Sequence, residues 1–338
     1  MRIAVDAMGG DHAPQAIVEG ALLAAQALTG LHIVLVGDES KIKSFIHGSC
    51  PSNIEIVHTT EVIEPNEKEP VKAVRRKKDA SMVIALQMVR DKQVDAVISA
   101  GNTGAFMSGG VFHTKRIEGI ERPALAPILP SLGGSGTLVL DVGANMDAKP
   151  EHLLQYAVMG NIYARSVMGV TDPKIGLLNV GTEELKGNEL TKEAFHLLEK
   201  ANLNFIGNVE ARDVPYGACD VLVCDGFSGN ILLKSLEGMA EAVFQILKQE
   251  MTATVMSKLG AMLLKPGLKN IKKKMDYMEY GGAPLMGLQG TCIKAHGSSN
   301  ALAIKYAILQ AVNFVEKDVV GHIRKEVNQE RRELDAEN

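Results

Sequence analysis

Glycine, asparagine and small hydroxyl residues recur in short runs along this chain: VDAMGGD (5–11), SAGNTGA (99–105), LDVGAN (140–145), NVGTEELKGNE (179–189), CDGFSGN (224–230) and HGSSN (296–300). The first five follow short aliphatic runs, and nearly all precede segments with helical patterning. Such runs set backbone N–H groups and Asn or Ser side chains along the carboxyl ends of strands, where open α/β sheets bind ligands. Glycine permits close backbone approach, and helix N-termini favour anions. The pattern predicts an α/β enzyme whose substrate carries phosphate.

The elements that must position these runs are visible in the hydrophobic pattern. Short runs rich in Val, Ile and Leu predict strands at 2–5, 32–36, 54–58, 96–99, 137–141, 174–179, 204–207 and 221–224, as expected of strands covered on both faces. Helical stretches lie between them at 14–28, 81–90, 151–168 and 190–200, with helix starts expected at 79–82 and at Thr191. Alternating strand and helix implies a mostly parallel sheet with right-handed crossovers. The proline-rich segment 123–138 reads as the crossing between two lobes. A long helical stretch over 231–265, a break at Pro266-Gly267 and a second stretch over 268–278 predict a helical hairpin projecting from the α/β body.

Bulk composition narrows the function class. A chain of 338 residues with 46% hydrophobic content can bury one large core or two lobes. Its net charge of -4 carries no nucleic-acid footprint, and 4% aromatic content with no Trp argues against base stacking. Cys50, Cys219, Cys224 and Cys292 are scattered without metal spacing and read as reduced thiols of a cytoplasmic protein. The N-terminus reads as a strand and a turn rather than a signal peptide, and no apolar run reaches membrane-spanning length.

Several common motifs are absent from the sequence. There is no GxxxxGK[ST], no HExxH and no GxSxG, and the GGSG at 133–136 lacks dinucleotide-binding spacing. Taken in order, MRIAVDAMGGDHAP (1–14), SAGNTGA, LDVGAN, LLNVGTEELKGNE (177–189), CDGFSGN and KAHGSSN (294–300) resemble, over essentially the whole chain, the PlsX family of bacterial phosphate acyltransferases. The resemblance implies a three-layer α/β/α fold of the isocitrate/isopropylmalate dehydrogenase type. In it, two intertwined lobes surround a mixed, mostly parallel sheet, so that 1–338 form a single unit with the hairpin at 239–280 projecting from it. It also implies transfer of a fatty acyl group from acyl carrier protein to inorganic phosphate, for phospholipid synthesis. Neither a cofactor nor a metal is expected.

That chemistry requires an aimed, desolvated phosphate anion and a stabilised oxyanion on the thioester carbonyl. The resemblance points to Lys186 and Asn230 as the catalytic positions: Lys186 gives positive charge to phosphate or oxyanion, and Asn230 orients phosphate or carbonyl. The bland alternatives are a solvated turn lysine and a helix cap. Gly101, Asn102, Thr103, Gly104, Asn179, Gly229, Ser298, Ser299 and Asn300 are candidate phosphate contacts, against plain turn and cap chemistry. Asp6, Asp11, Asp141 and Asp225 are expected to order turns rather than chelate. His12 and His296 sit where either could protonate a leaving thiolate, with a structural role the preferred reading. Cys224, at the end of an apolar strand, is disfavoured as a nucleophile.

The expected partners are acyl carrier protein, phosphate, a second copy of the chain and a downstream membrane acyltransferase. The region 251–278 is expected either to pack a dimer or to touch lipid with Leu259, Met262, Leu263 and Leu264, aided by Lys269, Lys272, Lys273 and Lys274. The expected location is cytoplasmic with peripheral membrane association. The basic run Arg75-Arg76-Lys77-Lys78 and the lysines Lys272, Lys273 and Lys274 are candidates for steering an acidic carrier, against the bland alternative of a solvated helix end. Rival readings are a dehydrogenase of the same architecture, a phosphate acetyltransferase using coenzyme A and a non-catalytic membrane scaffold.

Overall fold

Val, Ile and Leu fill the strands so densely that both faces of each sheet have to be covered, and helices cover them. The computed structural model describes residues 1–134, 136–275 and 281–337, with the side chains at 269, 272–275 and 330–337 left aside. The first stretch runs β1 (Arg2–Asp6), α1 (Gln15–Ala27), β2 (His32–Gly37), α2 (Glu39–Lys43), β3 (Ile54–His58), α3 (Pro70–Arg76), α4 (Ser81–Arg90), β4 (Ala96–Ser99) and α5 (Thr103–His113). The chain continues through β5 (Ala124–Leu125), β6 (Ile128–Leu129), β7 (Thr137–Leu140), α6 (Pro150–Ser166), β8 (Ile175–Asn179), α7 (Glu189–Lys200), β9 (Phe205–Glu210) and β10 (Val221–Val223). It ends with α8 (Gly226–Thr252), α9 (Val255–Met275), β11 (Ala283–Met286), β12 (Thr291–Lys294), α10 (Ala301–Glu316) and α11 (Val319–Glu337).

Two mixed, mostly parallel sheets form the two sections of the molecule. One has the order β3-β2-β1-β4-β12-β11-β5, the other β6-β7-β10-β8-β9. Helices α1 and α10 cover one face of the first section, through Ile17, Val18, Ile304 and Ile308 against Ile3 and Val5. Gly20 makes that contact close: a Cβ there would lie 2.5 Å from the Ala301 carbonyl oxygen. Helices α4 and α5 cover the other face through Val83, Leu86 and Phe106. In the second section α6 supplies Tyr156 and Tyr163, and the inner turns of α8 pack Leu232 on the opposite side. The result is a three-layer α/β/α molecule.

The sections meet where the chain crosses between them. The Ala126 N–H donates to the Pro284 carbonyl of β11, and the Val139 N–H of β7 donates to the Pro127 carbonyl. Pro127 separates β5 from β6, and its missing N–H breaks the ladder there. Asp141, fully buried after β7, stitches the two sections: Oδ1 accepts from the Leu125 N–H at 2.9 Å and the Ala144 N–H at 3.0 Å, and Oδ2 from the Asn145 N–H at 2.6 Å.

Two differences from the sequence reading are local. The helical hairpin turns at 253–254 rather than at Pro266-Gly267, and Pro266 lies inside α9. Thr254 explains the turn, since its hydroxyl accepts the Ser257 N–H at 3.0 Å and starts the second helix. The carbonyl that Pro266 leaves unpaired can turn to water on this exposed helix. The second difference is the start of α7, where Asn188 rather than Thr191 caps, accepting the Thr191 N–H at 3.0 Å. The expectations for 276–278 and for the side chains of Lys269, Lys272, Lys273 and Lys274 lie outside the described residues. No helix among the described residues is long and apolar enough to cross a membrane.

Candidate active site

Glycines let three turns of the first section close on one another. A Cβ at Gly9 would lie 2.4 Å from Asp6 Oδ2 and 2.7 Å from the Gly101 nitrogen. Gly10, at φ +110, sits against the Gly297 carbonyl and Ala100, a conformation and a space that suit glycine alone. The Asp11 N–H donates to the Gly297 carbonyl at 2.8 Å. Buried Asp6 holds the arrangement from below, accepting the Ser81 and Ser99 hydroxyls at 2.6 Å each. Burial raises the Asp6 pKa, and those hydroxyl bonds oppose the rise.

The second section brings its own turns to the same place. Asp225 caps α8, accepting the Phe227 and Ser228 N–H groups at 3.0 and 2.9 Å. Gly226 and Gly229 press that helix start onto the turn after β7; a Cβ at Gly229 would fall 1.9 Å from the Asp141 carbonyl oxygen. Asp141 itself is raised to about 6 by burial, against the N–H donors of Leu125, Ala144 and Asn145.

Between the two sets of turns lies a cavity of about 210 Å³. Its polar wall carries Thr103, Asn230, Lys294, His296 and Ser299, and its apolar wall includes Leu125, Ile128, Leu129, Val142 and Leu233. The N-terminal turns of α5, α8 and α10 all reach it, through Thr103, Asn230 and Ala303. Lys234 and Glu237 close one side as an ion pair at 2.8 Å. Ser298 places its N–H 3.3 Å and its hydroxyl 2.8 Å from His296 Nδ1, which leaves the ring proton on Nε2. Burial lowers the His296 pKa and favours the neutral ring.

A larger groove of about 870 Å³ adjoins this cavity and shares Thr103 with it. Val71, Met107, Val111, Phe112 and Leu285 give it an apolar floor, with Arg116 and Arg122 on its edge. At its outer end the Arg75 guanidinium stands 4.6 Å from the centre of the Phe112 ring.

The residues singled out from sequence divide into distinct sets. Thr103, Asn230 and Ser299 line the cavity. Gly104 lines the groove, and Gly101 and Gly229 are close-approach positions. Asn102 and Asn300 cap α5 and α10, each accepting an N–H at 2.9 Å. Ser298 orients His296. Asn179 donates to the Lys186 carbonyl at 3.1 Å and shapes the loop after β8. Lys186 is exposed on that loop and is not among the cavity-lining residues. Cys224 is buried against the Asp141 carbonyl, and burial drives its thiol pKa well up.

Sequence reasoning passed over the cavity-lining Lys234 and Glu237 and, most consequentially, Lys294. It ends β12, a four-residue strand whose TCIK pattern is too short and mixed to stand out.

The model of the family described as fatty acid synthesis protein matches residues 1–322. The chain belongs to that family. A phosphate acyltransferase of Brevibacillus brevis (strain 47) is 61% identical over 319 residues, covering 94% of this chain and 95% of its own. One from Bacillus subtilis (strain 168) is 56% identical over 332 residues, covering 98% and 99%. Among solved structures, a phosphotransacetylase from Streptococcus pyogenes matches with a TM-score of 0.61 at 17% identity over 94% of both chains. A branched-chain phosphotransacylase from Enterococcus faecalis V583 matches at 0.54 and 15%, covering 93% and 99%. At such identities these two structures show the fold this family member shares with them.

Proposed function

We infer that this protein is an acyltransferase that moves a fatty acyl group from acyl carrier protein to inorganic phosphate, giving acyl-phosphate for phospholipid synthesis. The observation that carries the reading, beside the relatives' shared name, is a single cavity with an anion-favouring wall and an apolar wall. A phosphate oxygen attacks the thioester carbonyl; the new C–O bond forms, the C–S bond breaks and the carrier thiolate leaves. The helix N-termini of α5, α8 and α10 favour the anion. Asn230 orients phosphate or the carbonyl from within the cavity. Lys186, on its exposed loop, is the proposed cation for the oxyanion; one such donor is worth ~3 kcal/mol. Purified protein given acyl-carrier should release carrier thiol and hydroxylamine-trappable acyl-phosphate in proportion to phosphate. Thiol release at the same rate without phosphate would end this reading.

The groove beside Thr103 suits the acyl-bearing arm of the carrier, and the basic run at 75–78 meets its outer end at Phe112. An acidic carrier would be steered there. The two-helix arm of α8 and α9 supports a peripheral role for a cytoplasmic enzyme. Met256, Leu259, Met262, Leu263 and Leu264 are all exposed on it, Leu263 at 83%. A second copy or a lipid surface would cover them, and a membrane acyltransferase would then take up the product. Replacing Leu263 and Leu264 with Glu should abolish flotation with liposomes if lipid is the partner; unchanged flotation with loss of a dimer would assign the arm to dimer packing.

A further inference from the structure

Lys294 is only 7% exposed, yet it lines the cavity between the N-terminal turns of three helices. Its ammonium donates to the carbonyl of Ala295, and no carboxylate among the described residues pairs with it. That hydrogen bond engages one of three donors. A buried cation with no carboxylate in contact is costly, and folds retain such groups mainly at functional sites. Thr103, Asn230 and Ser299 supply neutral hydrogen-bonding groups on the same wall, so an anion seated there would meet one charge and several dipoles.

We propose that Lys294 is the cation that holds the phosphate substrate inside the cavity, with Thr103, Asn230 and Ser299 around it. The proposal rests on the reading of the protein as a phosphate-using acyltransferase and adds the residue that recognises the anion. Lys186, exposed on its own loop, is left to serve the thioester carbonyl. Buried Lys294 has its pKa lowered to about 8 by desolvation, with Asp6 and Asp11 opposing the fall and Lys234 adding to it. His296 and Glu237 face the same cavity. Phosphate affinity should therefore fall above about pH 8 as the ammonium loses its proton.

The test is calorimetric titration of the full-length protein with inorganic phosphate, together with the phosphate KM. Lys294→Met should weaken phosphate binding about 10- to 100-fold, the scale of a lost charged hydrogen bond, and leave the KM for acyl-carrier within about twofold. Lys294→Arg keeps its charge and should move the alkaline fall in phosphate affinity to higher pH. Unchanged phosphate affinity in a folded Lys294→Met variant would overturn the proposal. So would an unchanged alkaline fall in Lys294→Arg, the deciding variant if methionine prevents folding. Absence of phosphate binding by the wild-type protein would overturn it as well. If phosphate binds as described but no acyl-phosphate forms, the functional reading fails and the anion site stands.

Discussion

Gly229 offers a prediction whose size can be worked from geometry. It sits in the first turn of α8, beside Asn230 and directly over the turn that Asp141 organises. A Cβ there would fall 1.9 Å from the Asp141 carbonyl oxygen and 2.8 Å from Cys224 Sγ. Restoring the first contact to the 3.0 Å minimum requires about 1.1 Å of movement (3.0 less 1.9), and the obstacle is backbone on both sides. Overpacking of that kind costs ~1–3 kcal/mol, which lowers the melting temperature by several degrees. Displacing a substrate-orienting group by ~1 Å costs on the order of 10²-fold in rate. Gly229→Ala should therefore fold, melt lower and lose about two orders of magnitude in acyl-phosphate formation. Gly238→Ala, on the same helix, is the control: nothing lies within 4 Å of its Cβ. It should leave activity unchanged and gain up to ~1 kcal/mol from helix propensity. Wild-type activity in Gly229→Ala would refute the claim that α8 positions Asn230 through this contact.

Other consequences are read with simpler assays. Asn230→Ala should lower kcat about 10²–10³-fold with folding intact, since the side chain borders the cavity rather than the core. Lys294, with a folded pKa of about 8 against an ordinary 10.5, sheds its proton sooner in the folded than in the unfolded chain. Its burial penalty is thus fully present below pH 8 and relieved as pH climbs towards 10.5. Denaturant unfolding without phosphate should show wild-type stability rising over that window relative to Lys294→Met; a parallel pH dependence would contradict the assignment. Apparent affinity for the acyl-carrier should fall as salt rises, more steeply in the wild type than after Arg75→Ala with Lys78→Ala.

Much of the scaffold was legible because buried parallel strands announce themselves. The strands at 32–36 and 54–58 needed only short aliphatic-rich runs, and the structure shifts the ends of the expected strands by at most three residues. β5, β6, β11 and β12 were not legible: they have two to four residues each, and Pro284 and Lys294 interrupt their apolar pattern. Their identity as strands is tertiary, set by Leu125 bonding to Asp141 and by β12 lying beside β4. The site divides the same way. Glycine and asparagine marked the right strand ends, but composition cannot separate a cap from a ligand, and Asn102 and Asn300 are caps. Lys294 was invisible as a site residue because its significance is burial in a cavity wall with no carboxylate in contact, which no one-dimensional pattern records.

The most direct test of the account is a crystal of the protein soaked in inorganic phosphate. It predicts anion density inside the cavity, within hydrogen-bonding reach of Lys294 Nζ and bordered by Thr103, Asn230 and Ser299. Density confined to the exposed loop of Lys186, with the cavity holding only water, would contradict it.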